Sequence, residues 1–340
     1  MTCDLSGDLG SLHLQLTDMD FHGSRILVTG GAGFLGTWLC SLLISKGADV
    51  LCIDNLSSGL RQNISTLEKN PRFSFLFHDI SEPIQFRQKI DYVLHLASRA
   101  SPLEFDKFPL EIIRANTLGT MHALDIATAH GARFLYTSTS EVYGNADVFP
   151  TPESYHGDVN TVGIRGCYDE SKRMGEAICL AYLREKGTDI RIARIFNTYG
   201  PLMRADGVYG RVIPRLISQA LMDIPMTIFG DGSQTRSFCY VTDLIEGIYR
   251  LLLSDEVNPV NIGNPEERTV LDFARLILKL MDSNRKIIFK ELPQDDPKVR
   301  RPDISRAREL LGWEPVVDIE EGLRNTIEYF RKSRKVSCES

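Results

Sequence analysis

The stretch that decides the fold is Ile26-Leu-Val-Thr-Gly30-Gly31-Ala-Gly33-Phe-Leu-Gly36, an apolar run that ends in glycines and leads into a helical segment at Thr37. It fits both Gly-x-Gly-x-x-Gly (31, 33, 36) and Gly-x-x-Gly-x-x-Gly (30, 33, 36). Glycines at such positions permit a tight turn, and they let backbone N–H groups and a helix N-terminus approach a pyrophosphate. The run therefore predicts a dinucleotide site between the first strand and the first helix.

Asp54 ends the next predicted strand, where a carboxylate accepts hydrogen bonds from an adenosine ribose and repels a 2′-phosphate. We therefore expect NAD as the cofactor, with Arg61 as the one nearby residue that argues for NADP. Residues after the third and fourth strands would line adenine and pyrophosphate, and ordinary strand-end polarity is their alternative explanation. The predicted cofactor-binding residues are Gly30, Gly33, Phe34, Leu35, Asp54, Asn55, Asp79, Ile80, Leu96, Ala97, Ser98, Tyr168 and Lys172.

Short β-branched runs alternate with amphipathic stretches along the first part of the chain. We predict strands at 25–29, 50–53, 73–77, 92–96, 134–137 and 190–195, and helices at 38–46, 111–129 and 169–185. This alternation indicates an α/β fold with a Rossmann-type, doubly wound parallel sheet. Beyond residue 195 we predict a helix near 212–222 and a strand at 226–229, within a smaller mixed α/β lobe over the carboxyl ends of the strands.

Composition excludes several classes of protein. The 340 residues are 43% hydrophobic and 25% charged, which is ordinary for a globular protein with an ample core. A formal net charge of −6 without a lysine/arginine run argues against nucleic-acid binding. Residues 1–20 are rich in aspartate and have no signal-length apolar run, so we expect no export, no membrane anchor and a cytoplasmic location. The seven cysteines lack CxxC spacing and predict reduced thiols and no metal site.

Tyr168 and Lys172 stand one helical turn apart, and Thr139-Ser-Glu141 closes an apolar, strand-like stretch upstream. A tyrosine takes a proton from a sugar hydroxyl only if its pKa, ordinarily about 10, is pulled toward the working pH. A lysine on the same helix face supplies a positive field, and Thr139 would orient the same hydroxyl. A Tyr-x-x-x-Lys pair alone is common by chance. Beside the glycine run, it predicts an acid/base set for a redox reaction.

Over about residues 24–330 the chain resembles the extended short-chain dehydrogenase/reductase family. The motifs that carry the resemblance are Thr139-Ser-Glu-Val-Tyr-Gly144, Gly163-Ile-Arg-Gly-Cys-Tyr-Asp-Glu-Ser-Lys-Arg173, Arg194-Ile-Phe-Asn-Thr-Tyr-Gly-Pro201, Gly230-Asp-Gly-Ser-Gln-Thr-Arg236 and Asp295-Asp-Pro-Lys-Val-Arg300. Within that family they look most like the motifs of UDP-glucuronate decarboxylases. Leu202 and Pro214-Arg215 depart from that pattern and leave the nucleotide base open.

The resemblance implies NAD-dependent decarboxylation of a UDP-sugar, UDP-glucuronate, to UDP-xylose through a 4-keto sugar, with NAD regenerated in each turnover. It places Thr139 and Tyr168 at the sugar O4, Lys172 at the nicotinamide ribose and Glu141 near C5. Arg300 would meet the sugar carboxylate or its neighbouring phosphate. The implied catalytic residues are Thr139, Glu141, Tyr168, Lys172 and Arg300, and the implied substrate-binding residues are Ser140, Asn197, Arg211, Arg236 and Arg300.

The resemblance also implies a division of the chain. We expect an N-terminal extension at 1–23, an NAD-binding domain at 24–195 with a returning segment near 237–262, and a nucleotide-sugar-binding lobe at 196–236 and 263–335.

Oxidation at C4 turns the sugar acid into a β-keto acid, whose electrons can flow into an enolate when CO₂ leaves. A 4,6-dehydratase of the same fold uses an Asp-Glu pair, but here the pair is Ser140-Glu141, and serine is a poor general acid at neutral pH. A 4-epimerase or dehydratase of this fold is the alternative. A catalytically silent dinucleotide sensor is a further alternative, and it should have lost Tyr168 or Lys172.

The predicted helices at 111–129 and 169–185 carry more apolar surface than one sheet face requires. We expect a homodimer through a two-fold helical interface. The alternative, in which all of this surface packs on the parent sheet, is about equally compatible with the sequence.

Overall fold

The computed structural model describes residues 20–205, 211–291 and 299–339. Most of the expected N-terminal extension, residues 1–19, and the start of the motif at 295–300 lie outside these ranges. In the described part of the chain, no helix has the length and apolar character needed to span a membrane.

Seven parallel strands form the central sheet, in the order β11-β6-β5-β4-β1-β2-β3. All strands of the described residues, in this sheet and outside it, are β1 (Arg25–Thr29), β2 (Asp49–Asp54), β3 (Phe73–Phe77), β4 (Tyr92–His95), β5 (Arg133–Thr139), β6 (Ile190–Ile195), β7 (Thr198–Tyr199), β8 (Met226–Phe229), β9 (Thr235–Arg236), β10 (Cys239–Tyr240), β11 (Val260–Ile262), β12 (Arg268–Thr269) and β13 (Ile287–Lys290). The predicted Rossmann-type, doubly wound sheet is confirmed.

Helices cover both faces of this sheet. The α-helices of the described residues, including those outside the sheet faces, are α1 (Phe34–Ser45), α2 (Arg61–Ile64), α3 (Pro109–Asn116), α4 (Leu118–His130), α5 (Gly166–Lys186), α6 (Val212–Leu221), α7 (Val241–Leu253), α8 (Val270–Leu280), α9 (Ser305–Leu311) and α10 (Ile319–Glu339). Along β1, Leu27 packs in the core beneath α4 and α5, whereas Ile26 and Val28 pack in the core beneath α1 and α7. This alternation buries both faces, because successive side chains of a strand point to opposite sides.

Two predicted helices have different bounds in the structure. The expected helix at 111–129 is two helices, α3 and α4, separated at Thr117, whose backbone angles are φ −112° and ψ −70°. The Thr117 hydroxyl donates back to the carbonyl of Ile113 at 2.7 Å, a contact that bends helices. The helix expected at 169–185 begins earlier, at Gly166, so Tyr168 lies in its first turn.

A smaller group of elements lies over the carboxyl ends of the sheet strands. In it β8 pairs with β13, β9 pairs with β12, and α6 and α8 pack against each other. Phe238 packs edge-on against Phe273 of α8 with ring centroids 4.9 Å apart, which anchors the segment after β9 in this core. The chain returns to the main sheet through α7 and β11.

Candidate active site

A continuous cleft of about 1430 Å³ lies between the carboxyl ends of the sheet strands and the smaller group of elements. Every residue that the sequence analysis selected for the cofactor, the substrate or the chemistry lines this cleft. The strands explain this convergence, because parallel strands present all their carboxyl ends at one edge of the sheet.

The glycine run forms a cradle at one end of the cleft. Gly30 has φ +71°, and a Cβ there would lie 2.8 Å from the backbone of Ala97. A Cβ on Gly36 would collide with the backbone of Gly30 and Gly31. Helix α1 begins immediately after Gly33 and has no side-chain cap, so its first N–H groups face the cleft. The cradle fits a dinucleotide pyrophosphate, which needs close backbone approach and a helix N-terminus.

Asp54 stands beside this cradle and is held by the backbone. Its carboxylate oxygens accept hydrogen bonds from Ala32 N at 3.0 Å and Leu56 N at 2.7 Å, which leaves further lone pairs for ribose hydroxyls. Arg61 does not line the cleft. Its guanidinium pairs with Glu68 at 2.9 Å and lies over the ring of Phe75, so it is directed away from a 2′-phosphate position. The arrangement fits NAD and disfavours NADP.

Polar side chains after β2 and β3 are hydrogen-bonded to each other beside Asp54. Asn55 Nδ2 donates to Asp79 Oδ2 at 2.8 Å, and Asp79 Oδ1 accepts from Ser81. These bonds fix the loops that carry Asn55 and Ile80 along the adenosine end of the cleft.

Tyr168, Thr139 and Lys172 meet deeper in the cleft. The Tyr168 ring stacks on Phe105 with centroids 5.0 Å apart, and the Lys172 ammonium donates to the carbonyl of Thr137 at 2.9 Å. Burial raises the pKa of Tyr168 to about 12, although a hydrogen bond with Thr139 lowers it in part. Burial likewise lowers the pKa of Lys172 to about 7.

The positive field expected from Lys172 therefore does not bring the Tyr168 pKa toward neutrality in this structure. Desolvation of the phenol is the largest effect on its pKa and outweighs the lowering effects of the Thr139 hydrogen bond and of the Arg211 charge, and desolvation also weakens the charge on Lys172 itself. Any additional positive charge in the cleft works toward ionising Tyr168. The sequence could not reveal this balance, because it depends on how deeply both side chains are buried.

Glu141 lies in the short turn that directly follows β5 and is paired with two arginines. Arg300 Nη2 donates to Glu141 Oε2 at 3.1 Å, and Arg165 Nη2 donates to the same oxygen. Burial alone would raise the pKa of Glu141, but Arg300 and Arg165 lower it to about 2. Glu141 is thus an ionised carboxylate at neutral pH and, in this arrangement, a weak proton donor.

Arg300 lies next to Glu141 because hydrogen bonds hold its backbone and that of the following residue in place. Its carbonyl accepts hydrogen bonds from Ser237 N at 3.3 Å and Ser237 Oγ at 2.8 Å, and the carbonyl of Arg301 accepts from Thr151 N at 2.9 Å. The Arg300 side chain is 4% exposed and also donates to the carbonyl of Gly144. A buried guanidinium at the end of an open cleft can bind an anionic group of a ligand.

The far end of the cleft is basic. Asn197, Arg211 and Arg236, which the resemblance assigns to UDP, line the cleft. Two further arginines line the cleft that the sequence analysis did not select: Arg204, which donates to the carbonyl of Ser58 at 3.0 Å, and Arg215, which lies over the ring of Phe229. Arg215 is one helical turn beyond Arg211, a spacing that could have indicated it. Cationic side chains at this end suit a diphosphate.

Arg165 was also missed. It stands in the quoted motif around Tyr168, but only the fold shows that it reaches Glu141, because the helix α5 and the turn after β5 pack side by side. The described residues contain no group of His, Cys, Asp or Glu side chains that could hold a metal ion.

Comparison with known proteins identifies the family. Residues 26–263 match the NAD dependent epimerase/dehydratase family. The chain is 46% identical to UDP-glucuronic acid decarboxylase 1 of Xenopus tropicalis over 308 residues, which cover 91% of this chain and 72% of the relative. It is 47% identical to UDP-glucuronic acid decarboxylase 1 of Arabidopsis thaliana over 307 residues, which cover 90% of this chain and 70% of the relative.

Among solved structures, the chain is similar to a UDP-glucuronic acid 4-epimerase variant of Bacillus cereus in complex with UDP-4-deoxy-4-fluoro-glucuronic acid and NAD. That similarity has a TM-score of 0.81 and 31% identity and covers 91% of this chain and 99% of the other. Residues 26–263, the segment that matches the family, include the glycine cradle, Asp54, Tyr168 and Lys172. The chain therefore belongs to the NAD dependent epimerase/dehydratase family, the extended short-chain dehydrogenase/reductases.

Proposed function

We propose that this protein is an NAD-dependent UDP-glucuronate decarboxylase that forms UDP-xylose through a 4-keto sugar. The observation that carries the proposal is the ion pair of Glu141 and Arg300, which lines the cleft next to Tyr168. The curated decarboxylases that share 46% and 47% identity with the chain support the same reaction.

The chain's own residues would prepare the sugar for oxidation. Thr139 and Tyr168 share a hydrogen bond, so a C4 hydroxyl beside them would be oriented by Thr139 and deprotonated by Tyr168. Lys172, anchored on the carbonyl of Thr137, would hold the ribose next to the reacting atoms. When bound, NAD supplies the oxidant for C4 and a positive charge that favours ionised Tyr168.

Arg300 would bind the carboxylate that is lost. The substrate carboxylate and Glu141 are both anions, so the substrate must share or take the Arg300 contact that Glu141 makes in the structure. Oxidation at C4 makes the bound acid a β-keto acid, and CO₂ can then leave with its electrons placed in an enolate. Glu141 would face C5, where the enolate takes up a proton from water, since Glu141 itself is ionised.

A 4-epimerase acting on the same sugar acid is the second candidate, because the Bacillus cereus neighbour carries that name. An epimerase must rotate its keto sugar before reduction on the other face. The Glu141, Arg165 and Arg300 cluster would hold an acidic sugar at one corner of the cleft, which opposes such a rotation. Ser140 in place of a second acid opposes the dehydratase reaction.

The remaining assignments belong to the same proposal. The lobe formed by 196–236 and 263–335 would bind the nucleotide sugar, with Asn197, Arg211 and Arg236 on UDP. The exposed apolar side chains of α3, α4 and α5 support a homodimer through these helices, and they are Leu110, Ile113, Leu118, Met121 and Met174. The five described free cysteines fit a cytoplasmic location.

The experiment is incubation of purified protein with UDP-glucuronate and a trace of NAD, with CO₂ and nucleotide sugars followed by mass and NMR. The proposal expects CO₂ and UDP-xylose in equal amounts, in excess over the NAD supplied. Conversion of UDP-glucuronate to its C4 epimer, faster than CO₂ release, would establish the second candidate instead.

A further inference from the structure

Asp169 lies next to the cluster of Glu141, Arg165 and Arg300, outside the cleft. It takes no part in the reaction as proposed above. It follows Tyr168 on α5 but points away from the cleft, and only 5% of its surface is exposed. Its Oδ2 lies 3.7 Å from Arg165 Nε, beyond hydrogen-bond range, and its Oδ1 has no hydrogen-bond partner. A buried carboxylate with an oxygen that accepts no hydrogen bond is costly to ionise.

A small cavity of about 20 Å³ separates Asp169 from Arg300. Arg165 lines the same cavity, and the guanidinium Nε of Arg300, like Asp169 Oδ1, is buried without a hydrogen-bond partner. The charges of Glu141, Arg165 and Arg300 all act on the Asp169 carboxyl. Asp169 therefore belongs to the same electrostatic unit as Glu141, Arg165 and Arg300, although it lies behind the cleft wall.

The charge of this unit depends on one proton. Arg165 and Arg300 contribute two positive charges, and Glu141 contributes one negative charge. If Asp169 is ionised the unit is neutral, and if Asp169 is protonated the unit keeps one positive charge. Only the second state complements a substrate that carries a carboxylate.

We propose that Asp169 is a specificity-determining residue that holds a proton when the acidic sugar is bound, so that binding of the substrate carboxylate takes up a proton from solvent. This inference rests on the proposed function, since it needs an acidic sugar at Arg300. Asp169 acts through Arg165, Arg300 and Glu141 and is a positioning residue, because it does not line the cleft.

The electrostatics of the neighbourhood agree with this. Burial, followed by the charge of Glu141, raises the pKa of Asp169 to about 7, against the lowering effects of Arg165 and Arg300. The other charged groups near it are Glu170, which pairs with Arg173 at 3.4 Å, and Asp158 across the small cavity. An incoming carboxylate adds another negative charge and raises the Asp169 pKa further. Affinity for the acidic sugar should therefore be full below pH 7 and fall as the pH rises above it.

Calorimetric titration tests the proton uptake. The Tyr168→Phe variant with NAD, whose turnover should be strongly reduced, is titrated at pH 7.5 with UDP-glucuronate and with UDP-xylose, in two buffers of different ionisation enthalpy. The two ligands differ only in the carboxylate. Because Asp169 with a pKa of about 7 is already about a quarter protonated at pH 7.5, we expect UDP-glucuronate to take up roughly half to three quarters of a proton more than UDP-xylose. Equal uptake for both ligands would overturn the proposal without any further variant.

Asp169→Asn in the same background should abolish the extra uptake. In the otherwise wild-type enzyme it should remove the rise in KM for UDP-glucuronate, which approaches tenfold per pH unit above about pH 7. Glu170→Gln is the matched control, because it removes the neighbouring carboxylate and should keep both effects. Extra uptake that persists in Asp169→Asn refutes the role of Asp169. Wild-type CO₂ release, measured in parallel, reports on the proposed function separately.

Discussion

Arg300→Ala removes the cation that we assign to the substrate carboxylate while leaving its backbone contacts in place. The Arg300 carbonyl keeps its hydrogen bonds from Ser237, so the segment should remain seated. The lost side chain is 4% exposed and donates to Glu141 at 3.1 Å and to the carbonyl of Gly144. In the complex it would donate to the sugar carboxylate.

The size of the effect follows from the kind of contact. A charge-assisted hydrogen bond to a desolvated carboxylate is worth roughly 1.5–3 kcal/mol, so kcat/KM for UDP-glucuronate should fall about tenfold to about 150-fold. Glu141 also loses one of the two arginines that hold its pKa at about 2. Ionised Glu141 stabilises the fold at a pH above the pKa that it has in the unfolded chain, and this stabilisation is lost as the pH falls through its depressed pKa in the folded protein. Because Arg300→Ala weakens this depression, the free energy of unfolding should rise less from acid to neutral pH in the variant than in the wild type.

The assay is CO₂ release under kcat/KM conditions, together with NAD binding and a thermal melt at pH 7. Arg301→Ala is the matched control: Arg301 is the next residue, half-exposed, and pairs with Glu267 at 3.4 Å without lining the cleft. It should stay within about twofold of wild type. If folded Arg300→Ala retains more than about a third of the wild-type kcat/KM, Arg300 does not bind the carboxylate.

Five further outcomes are expected. Tyr168→Phe should fold and bind NAD, because the ring still packs on Phe105, but CO₂ release should fall below about a tenth of wild type; Lys172→Met should do likewise and shift the pH profile. NAD should bind at least tenfold more tightly than NADP in comparative titrations because of Asp54, and equal affinities would contradict that assignment. Glu141→Gln should depress CO₂ release severely with NAD binding nearly unchanged, and retained turnover would exclude its assigned role. Arg236→Ala should raise KM for neutral and acidic UDP-sugars alike, whereas an effect confined to acidic sugars would place Arg236 at the carboxylate.

The sheet and the dinucleotide end could be read from the sequence because they depend on local patterns. Apolar runs with regular helices between them predict parallel strands, and the glycine run before α1 marks the close approach that Gly30 makes to Ala97. Tyr168 and Lys172 were predictable as a pair because one helical turn places them on one face. The division of helix 111–129 was not predicted; it falls at Thr117, whose hydroxyl donates to the carbonyl of Ile113.

The charge balance of the site needed the fold. Glu141, Arg165 and Arg300 are far apart in the chain, and only their packing shows that one carboxylate oxygen serves two guanidinium groups. The direction of the Tyr168 pKa was also hidden, because burial is a property of the assembled cleft. The orphaned oxygen of Asp169 has no sequence signature.

The most direct test of the central claim uses UDP-glucuronate with deuterium at C4, a trace of NAD and ordinary water. If C4 is oxidised by NAD and then reduced by the same cofactor after CO₂ has left, CO₂ and UDP-xylose should form in equal amounts. The deuterium should still be at C4 after many turnovers per NAD. Loss of the deuterium to solvent or to accumulated NADH, or a product that keeps the carboxylate and is inverted at C4, would contradict it.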